Sequence, residues 1–249
     1  MGIRLDALTE QQVIDRVLGS LDAGRGGWII TANLEILRRA TQDAAFGRMV
    51  QEADLVTADG MPLVWASRLQ GTPLPQRVAG STLVTTLAQA AAGQSRSLFL
   101  LGGAPGAAEG AACALRTQFP SLTIAGTYCP PVGFENREVE RNRLRNFIIK
   151  ACPDIVYVAL GSPKQERLIQ QLRCVLPRAW WLGVGISLSF LSGQVLRAPP
   201  WVQQIGLEWL HRLVQEPRRL ARRYLVAGLP FAIRLLIESR RNRSADRRR

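Results

Sequence analysis

Short apolar runs alternate with longer segments of mixed polarity along most of the chain. Six of these runs are rich in Val, Ile, Leu and aromatic residues and have the length of strands; they span 27–33, 54–60, 97–103, 122–128, 154–161 and 179–187. The segments between them place apolar residues at helical spacing. This alternation predicts an α/β fold, a Rossmann-like, mostly parallel sheet with helices on both faces.

The pattern changes after residue 196, where the chain becomes basic, helical and amphipathic. The longest apolar stretch in this part, residues 224–237, contains Pro230 and Arg234 and is too short to cross a bilayer core of about 30 Å. Such a segment can lie in the membrane interface instead, with its arginines near lipid phosphates. We therefore predict an α/β domain over residues 1–196 and a basic helical appendage over 197–249, its last ten residues being disordered.

Charge is distributed unevenly between these two parts. Residues 197–249 contain 13 Arg and four acidic residues, so this part carries +9 of the chain's net charge of +13. Such an excess predicts an anionic partner, either a membrane surface or a nucleic acid. The arginines are interleaved with "YLVAGLPFAIRLLI", an apolar stretch that a bilayer would bury and a nucleic acid would not need. We therefore expect a membrane surface, and no nucleic acid, as the partner.

The residue types argue against several kinds of site. The single histidine, His211, lies in the helical segment "GLEWLHRL", and the four cysteines show no C-x-x-C spacing. Neither a zinc site nor a Ser-His-Asp triad is therefore expected. The chain also has no D-x-D, so we predict chemistry without a metal. The scattered cysteines indicate buried, reduced thiols and hence a cytoplasmic protein.

A nicotinamide cofactor is not expected either. The glycine-rich stretch "FLLGGAPG" does not match G-x-G-x-x-G, and the next predicted strand ends in "AGTY" without an acidic residue for a ribose. We therefore predict no cofactor.

Polar or glycine residues end most of the predicted strands. The carboxyl ends of parallel strands share one edge of a sheet, where ligands of α/β proteins bind. We therefore expect one site built from Thr31, Asn33, Asp59, Gly102, Gly103, Lys164, Gln165 and Glu166.

Each of these positions has a structural and a chemical interpretation. Asp59 in "TADGMP" is either a turn or helix-cap residue or a general base. The glycines after the third strand either turn the chain or present N–H groups to a phosphate. Arg77 is either solvated or clamps a diphosphate. The turn "PKQE" either starts a helix or binds a sugar or phosphate through Lys164 and Gln165, with Glu166 orienting them.

The order of the motifs matches a known family over residues 27–224. The motifs are "TANLEIL", "ADLVTADGMPLVWASR", "QRVAGSTL", "LFLLGGAPG", "VALGSPKQE" and "RAPPWVQQIGLEWLHRLVQEPRRLARRY". Together they resemble the WecG/TagA/CpsF family, glycosyltransferase family 26. The resemblance implies inverting, metal-independent transfer of a sugar from a UDP-sugar to a polyprenyl-diphosphate-linked saccharide. It also implies peripheral attachment to the inner face of the cell membrane and a role in teichoic acid linker, common antigen or exopolysaccharide synthesis. A homo-oligomer is left open.

The resemblance also implies a role for individual residues. Asp59 matches the family's proposed catalytic base, Thr31 and Asn33 match its T-x-N motif, and Arg77 and Gln165 match positions that support the nucleotide-sugar or its leaving diphosphate. Contacts with the membrane or the lipid diphosphate are implied for arginines of the appendage, with Arg197, Arg212, Arg218, Arg222 and Arg223 as candidates. The chain departs from the family at Ser189, where members often have Asp, and this leaves the donor sugar open.

Overall fold

Six parallel strands form the sheet that the alternating pattern predicts. The computed structural model describes residues 3–204 and 206–246, and in it the strand order is β2-β1-β6-β5-β3-β4. Every pairing is parallel. The strands are β1 (Gly27–Ala32), β2 (Leu55–Ala58), β3 (Ser97–Gly102), β4 (Thr123–Tyr128), β5 (Ile155–Ala159) and β6 (Trp180–Gly183). Each strand lies within a predicted run, so the predicted α/β class is confirmed.

Helices precede, connect and follow the strands. Those before residue 197 are α1 (Glu10–Asp22), α2 (Leu34–Gln42), α3 (Ala44–Gln51), α4 (Met61–Gln70), α5 (Gly80–Gly93), α6 (Ala107–Gln118), α7 (Glu138–Ala151), α8 (Lys164–Leu172) and α9 (Ser187–Leu191), with a 3₁₀ turn at Phe134–Asn136. Those after it are α10 (Pro200–Gln204), α11 (Glu208–Gln215), α12 (Pro217–Ala221), a π-helical stretch (Arg222–Gly228) and α13 (Leu229–Asp246).

Both faces of the sheet are buried, as a parallel sheet requires. On one face, side chains such as Leu98 and Leu182 pack with α1, α5, α6 and α9. On the other face, Trp28, Phe99 and Trp181 pack with α2, α3, α4, α7 and α8. Trp28 and Trp181 are paired in register on β1 and β6 and are fully buried. These tryptophans therefore belong to the core.

The cysteines do not contribute to this core. Cys113, Cys152 and Cys174 are exposed and Cys129 is partly buried, so the prediction of buried thiols is wrong. Cys113 lies on the outer side of α6, whose neighbouring Ala111 and Ala112 face the core. All four thiols are free.

The part of the chain after residue 196 packs against α2 and α4, the helices that follow β1 and β2. Leu235 of α13 is buried in the same cluster as Trp28. Within the described ranges, every helix is too short or too polar to span a bilayer.

The helix α13 extends to Asp246 and so includes residues 240–246 of the tail for which disorder was expected; residues 247–249 lie outside the described residues. Arginine has a high helix propensity, and Arg234 and Glu238 form an ion pair at 2.7 Å across one helical turn. A run of arginines therefore continues the helix here.

Candidate active site

Asp59 lies immediately after β2, at the carboxyl edge of the sheet. Its backbone N–H donates to the carbonyl of Ala32 at the end of β1, at 2.8 Å. Its Oδ2 accepts a hydrogen bond of 3.2 Å from the N–H of Gly80, the first residue of α5. The helix that follows Asp59 in sequence, α4, begins at Met61, and its N-cap residue is Gly60, so no side chain caps it. Asp59 is therefore not the cap of α4, and its carboxylate faces the N-terminus of a helix distant in sequence.

The surroundings of Asp59 make its carboxylate more basic than usual. Its pKa is raised to about 6: burial is the largest cause and the charge of Glu208 adds to it, while the Gly80 hydrogen bond and the charges of Arg77 and Arg197 oppose the increase. A carboxylate with a pKa in this range is ionised at neutral pH and is a stronger base than an exposed one. The site therefore contains a group suited to accept a proton.

Arg77 and Arg197 lie beside Asp59, with Glu208 of α11 between them. Arg77 Nη1 is 3.9 Å from Glu208 Oε2, and Arg197 Nε is 3.5 Å from Glu208 Oε1. Arg197 Nη2 also donates to the hydroxyls of Ser81 and Thr82, both at 2.8 Å. These contacts tie the part after residue 196 to the first turn of α5.

Glu208 is a site residue that the sequence analysis missed. The available signal was an acidic residue that opens the helix "EWLHRLVQ" within a strongly basic part of the chain. Only the folded arrangement shows that this carboxylate reaches across to Arg77, which lies 131 positions earlier in the sequence.

Two threonine hydroxyls lie close to the loop that carries Asp59. Thr31 of β1 is paired in register with Thr57 of β2, and both are buried. A Cβ atom at Gly80 would lie 2.6 Å from Thr31 Oγ1, so the start of α5 directly contacts this threonine. Among the described residues, Thr57 Oγ1 has no hydrogen-bond partner. Side chains alternate along β2, so Thr57 lies on the same side of the sheet as Asp59. This spacing of two residues could have identified Thr57 as a site residue from the sequence.

Asn33, the other residue of the T-x-N motif, caps a helix. Its Oδ1 accepts hydrogen bonds from the backbone N–H groups of Glu35 and Ile36, at 3.0 and 3.1 Å, in the first turn of α2. The cap uses the amide oxygen only. The amide NH₂ group is therefore not consumed by the cap.

The PKQE turn sends its side chains in two directions. Gln165 Oε1 accepts from the Gly185 N–H at 3.0 Å, and Gln165 Nε2 donates to Glu166 Oε1 at 2.9 Å. Burial raises the pKa of Glu166, while the Gln165 hydrogen bond opposes this increase. Lys164 instead points outward and pairs with Glu135 after β4. The structure therefore brings Gln165 and Glu166 together and places Lys164 apart from them.

A small void of about 10 Å³ lies between the two halves of the predicted site. Its lining includes Thr31 on one side and Gln165, Glu166 and Gly183 on the other. A void of this size holds about one water molecule. Thr31 and Gln165 are therefore near neighbours, although they lie on different strand ends.

The glycines after β3 have a steric reason to be glycine. Gly102 and Gly103 have φ angles of 87° and 91°, which are strained for residues with a side chain. A Cβ atom at Gly102 would lie 2.9 Å from the Ala159 carbonyl oxygen, and the Gly103 N–H donates to that oxygen at 2.7 Å. The Gly103 N–H is therefore used within the fold, and the phosphate role of this loop stays a prediction.

The candidate arginines of the C-terminal part differ in their surroundings. Arg212 lies over the ring of Phe190, 6.0 Å from its centroid, and is 4.0 Å from Glu216. Arg218 and Arg222 are exposed. Ser189, where the chain has Ser and family members often have Asp, is buried in α9, immediately before Phe190.

Comparison with known proteins shows which family and which relatives the chain is similar to. The model of the glycosyl transferase WecG/TagA/CpsF family matches residues 1–245. An N-acetylglucosaminyldiphosphoundecaprenol N-acetyl-beta-D-mannosaminyltransferase of Bacillus spizizenii is 36% identical over 202 residues, which cover 81% of this chain and 76% of that protein. The protein of the same name from Bacillus subtilis is 30% identical over 236 residues, covering 94% and 86% respectively.

Proposed function

Because the chain belongs to the WecG/TagA/CpsF glycosyl transferase family, we propose that it transfers a sugar from a UDP-sugar to a polyprenyl-diphosphate-linked saccharide, with Asp59 as the general base. The single observation that carries this proposal is the placement of Asp59, a carboxylate at the carboxyl edge of the sheet with a pKa raised to about 6 and two arginines beside it. A base and a cationic region for a leaving diphosphate are thus adjacent.

The proposed reaction is a direct displacement at the anomeric carbon. Asp59 accepts the proton of the acceptor hydroxyl, and the acceptor oxygen forms a bond to the anomeric carbon. The bond from that carbon to the β-phosphate oxygen breaks, and its electron pair leaves with UDP. Attack opposite the leaving group inverts the configuration. The developing charge on UDP is stabilised by Arg77 and by the backbone dipoles at the N-terminus of α5, without a metal.

The names of the two relatives indicate which substrates to test first. Both act on an N-acetylglucosaminyl-diphosphoundecaprenol and transfer N-acetylmannosamine. We propose an acceptor of the same class, a sugar on a polyprenyl diphosphate, for this chain. Such a lipid lies in a membrane, so the Arg-rich part after residue 196 is proposed to hold the protein on the anionic inner face of the cell membrane. The donor sugar is best determined by screening.

The experiment that tests this proposal measures UDP release by the purified full-length protein. A panel of UDP-sugars, beginning with UDP-N-acetylmannosamine, is combined with a short-chain polyprenyl-diphosphate N-acetylglucosamine in the presence of EDTA. We expect UDP release that requires the acceptor and persists in EDTA. Asp59→Asn is expected to slow it by about 10²–10⁴-fold, the typical contribution of a general base.

Asp43→Asn is the matched control for this experiment. Asp43 caps α3 through its side-chain oxygen, and Asn caps a helix equally well, so this variant is expected to turn over like the wild type. Undiminished turnover in Asp59→Asn would show that Asp59 is not the general base. Silence of the wild type across the panel, with an intact acceptor, would contradict the transferase proposal for these substrates.

A further inference from the structure

Glu208 is the acidic residue of the cluster beside Asp59, and the reaction proposed above does not use it. It contacts Arg77 at 3.9 Å and Arg197 at 3.5 Å, and its side chain is only 16% exposed. Each of its carboxylate oxygens faces a different guanidinium group, and both distances are longer than the 2.7–2.9 Å of a hydrogen-bonded ion pair, so Glu208 attracts both arginines through its charge. A carboxylate in this position lowers the positive charge of a region that should bind a diphosphate, so its presence requires a reason.

Asp59 is the group that would otherwise compete for these arginines. Across the described ranges it has one hydrogen-bond donor, the Gly80 N–H at 3.2 Å, and no ion pair. The charged groups that act on it are Arg77 from the loop before α5, Arg197 from the stretch before α10, and Glu208 from α11. Two cations therefore lie near Asp59 without pairing with it.

We propose that Glu208 is a positioning residue: it engages Arg77 and Arg197, so that Asp59 stays free of an ion pair and can accept the proton of the acceptor hydroxyl. This inference rests on the proposed function, because it assigns a partner to the same base. An arginine bound directly to a carboxylate lowers the pKa of that carboxylate by about 1–3 pH units and occupies the lone pairs that must receive the proton. Glu208 prevents both effects.

In this proposal the state of Asp59 also depends on whether the C-terminal part is folded onto the sheet. Glu208 belongs to α11, and Arg197, fixed to Ser81 and Thr82, brings that part to the start of α5. When α11 is in place, Glu208 meets Arg77; when it is not, Arg77 is free to pair with Asp59. The base is thus released from an ion pair only when the part of the chain proposed to meet the lipid is docked.

The test is the titration of the Asp59 carboxyl in the full-length Glu208→Gln variant. The protein is labelled with ¹³C at the aspartate carboxyl carbons, and the spectrum of Asp59→Asn identifies the Asp59 resonance. Loss of the Glu208 charge and the turning of Arg77 toward Asp59 both favour the ionised form of Asp59. We therefore expect a clearly lower pKa for Asp59 in Glu208→Gln than in the wild type.

Kinetics provide a second readout in the same variant. The acidic limb of the kcat/KM profile is expected to move to lower pH, and kcat at pH 8 is expected to fall by about tenfold, a part of what a general base contributes. Glu52→Gln is the matched control, since Glu52 also pairs with an arginine, Arg173, at 3.4 Å, but lies after α3 outside the site. It is expected to leave both the titration and the profile unchanged.

The outcomes separate this inference from the proposed function. A wild type that releases no UDP would contradict the proposed function, whereas the titration of Asp59 would still measure the effect of Glu208. If Glu208→Gln lowers only the melting temperature, and the pKa of Asp59 stays the same or rises, Glu208 is a structural residue and the inference is overturned. A lower pKa with the pH profile shifted in parallel supports it.

Discussion

At the scale of single residues, Asp59 is placed where its charge is unfavourable. Its raised pKa of about 6 means that the folded protein binds the proton more tightly than the unfolded chain does. The contribution of Asp59 to stability is therefore fully present below pH about 4, the pKa of an unperturbed aspartate, and is lost as the pH rises through about 6. Such a cost is expected where a residue is selected for reactivity.

Removing this charge should stabilise the protein at the pH where it acts. We expect Asp59→Asn to raise the free energy of unfolding at pH 8 by about 1–3 kcal/mol, since the amide retains an oxygen for the Gly80 N–H without carrying a charge. Urea unfolding of variant and wild type at pH 8 and at pH 4 measures the difference. The gain should become much smaller at pH 4, where the folded wild type is almost fully protonated at Asp59 and the unfolded chain is about half protonated. An equal difference at both pH values would contradict the raised pKa.

The residue scale also shows which site residues a sequence can identify. Asp59, Thr31 and Gln165 were predicted because the carboxyl ends of parallel strands meet at one edge, and the structure places them there. Lys164 was predicted with Gln165, yet consecutive residues of a helix point in directions about 100° apart, so Lys164 faces outward. Glu208 escaped because its role depends on a tertiary contact that no local pattern encodes.

At the scale of elements, helix α2 gives a test of the two interpretations of Asn33. Asn33→Ala removes the cap and is expected to lower the free energy of unfolding by about 1 kcal/mol. Asn33→Asp keeps a capping oxygen and adds a charge that a helix N-terminus favours, so it should retain wild-type stability. We expect it nonetheless to slow sugar transfer, because we propose that the amide NH₂ group, which the cap does not use, donates to the substrate, and a carboxylate oxygen cannot donate.

Unfolding and UDP-release measurements on the two variants check this prediction. Asn33→Asp with both wild-type stability and wild-type turnover would show that the cap is the whole role of Asn33. Loss of stability in Asn33→Asp equal to that in Asn33→Ala would instead contradict the cap.

Elements were predicted from the sequence far better than their arrangement. Each strand was found from its apolar run. Five of the six are buried on both faces and are therefore apolar almost throughout, while the edge strand β4 is only partly buried. The order of the strands was not predicted: β6 lies between β1 and β5, and this choice depends on crossover connections that span the whole chain. The helix α13 was missed beyond residue 239, because composition alone does not reveal its packing on α4.

At the scale of the whole molecule, the C-terminal part combines cations with exposed apolar side chains. Among its large apolar residues, Val214 is 75% exposed and Val226 is 69% exposed, and Trp201 is 65% exposed. Arg218 and Arg222 are exposed in the same part. Anionic lipids attract exposed arginines, and the interface accepts apolar side chains and tryptophan. We propose that these exposed side chains form a surface that contacts the membrane carrying the acceptor lipid.

Vesicle sedimentation of the full-length protein tests this surface. We expect binding to vesicles containing phosphatidylglycerol that weakens as salt is added, and little binding to vesicles of phosphatidylcholine alone. Val226→Glu should weaken binding by about tenfold, because an apolar side chain that would enter the interface becomes charged. Val139→Glu is the matched control, since Val139 is 76% exposed on α7, next to the opposite edge strand of the sheet. Equal losses in both variants, or tighter binding to duplex DNA than to either vesicle, would contradict a membrane role for this surface.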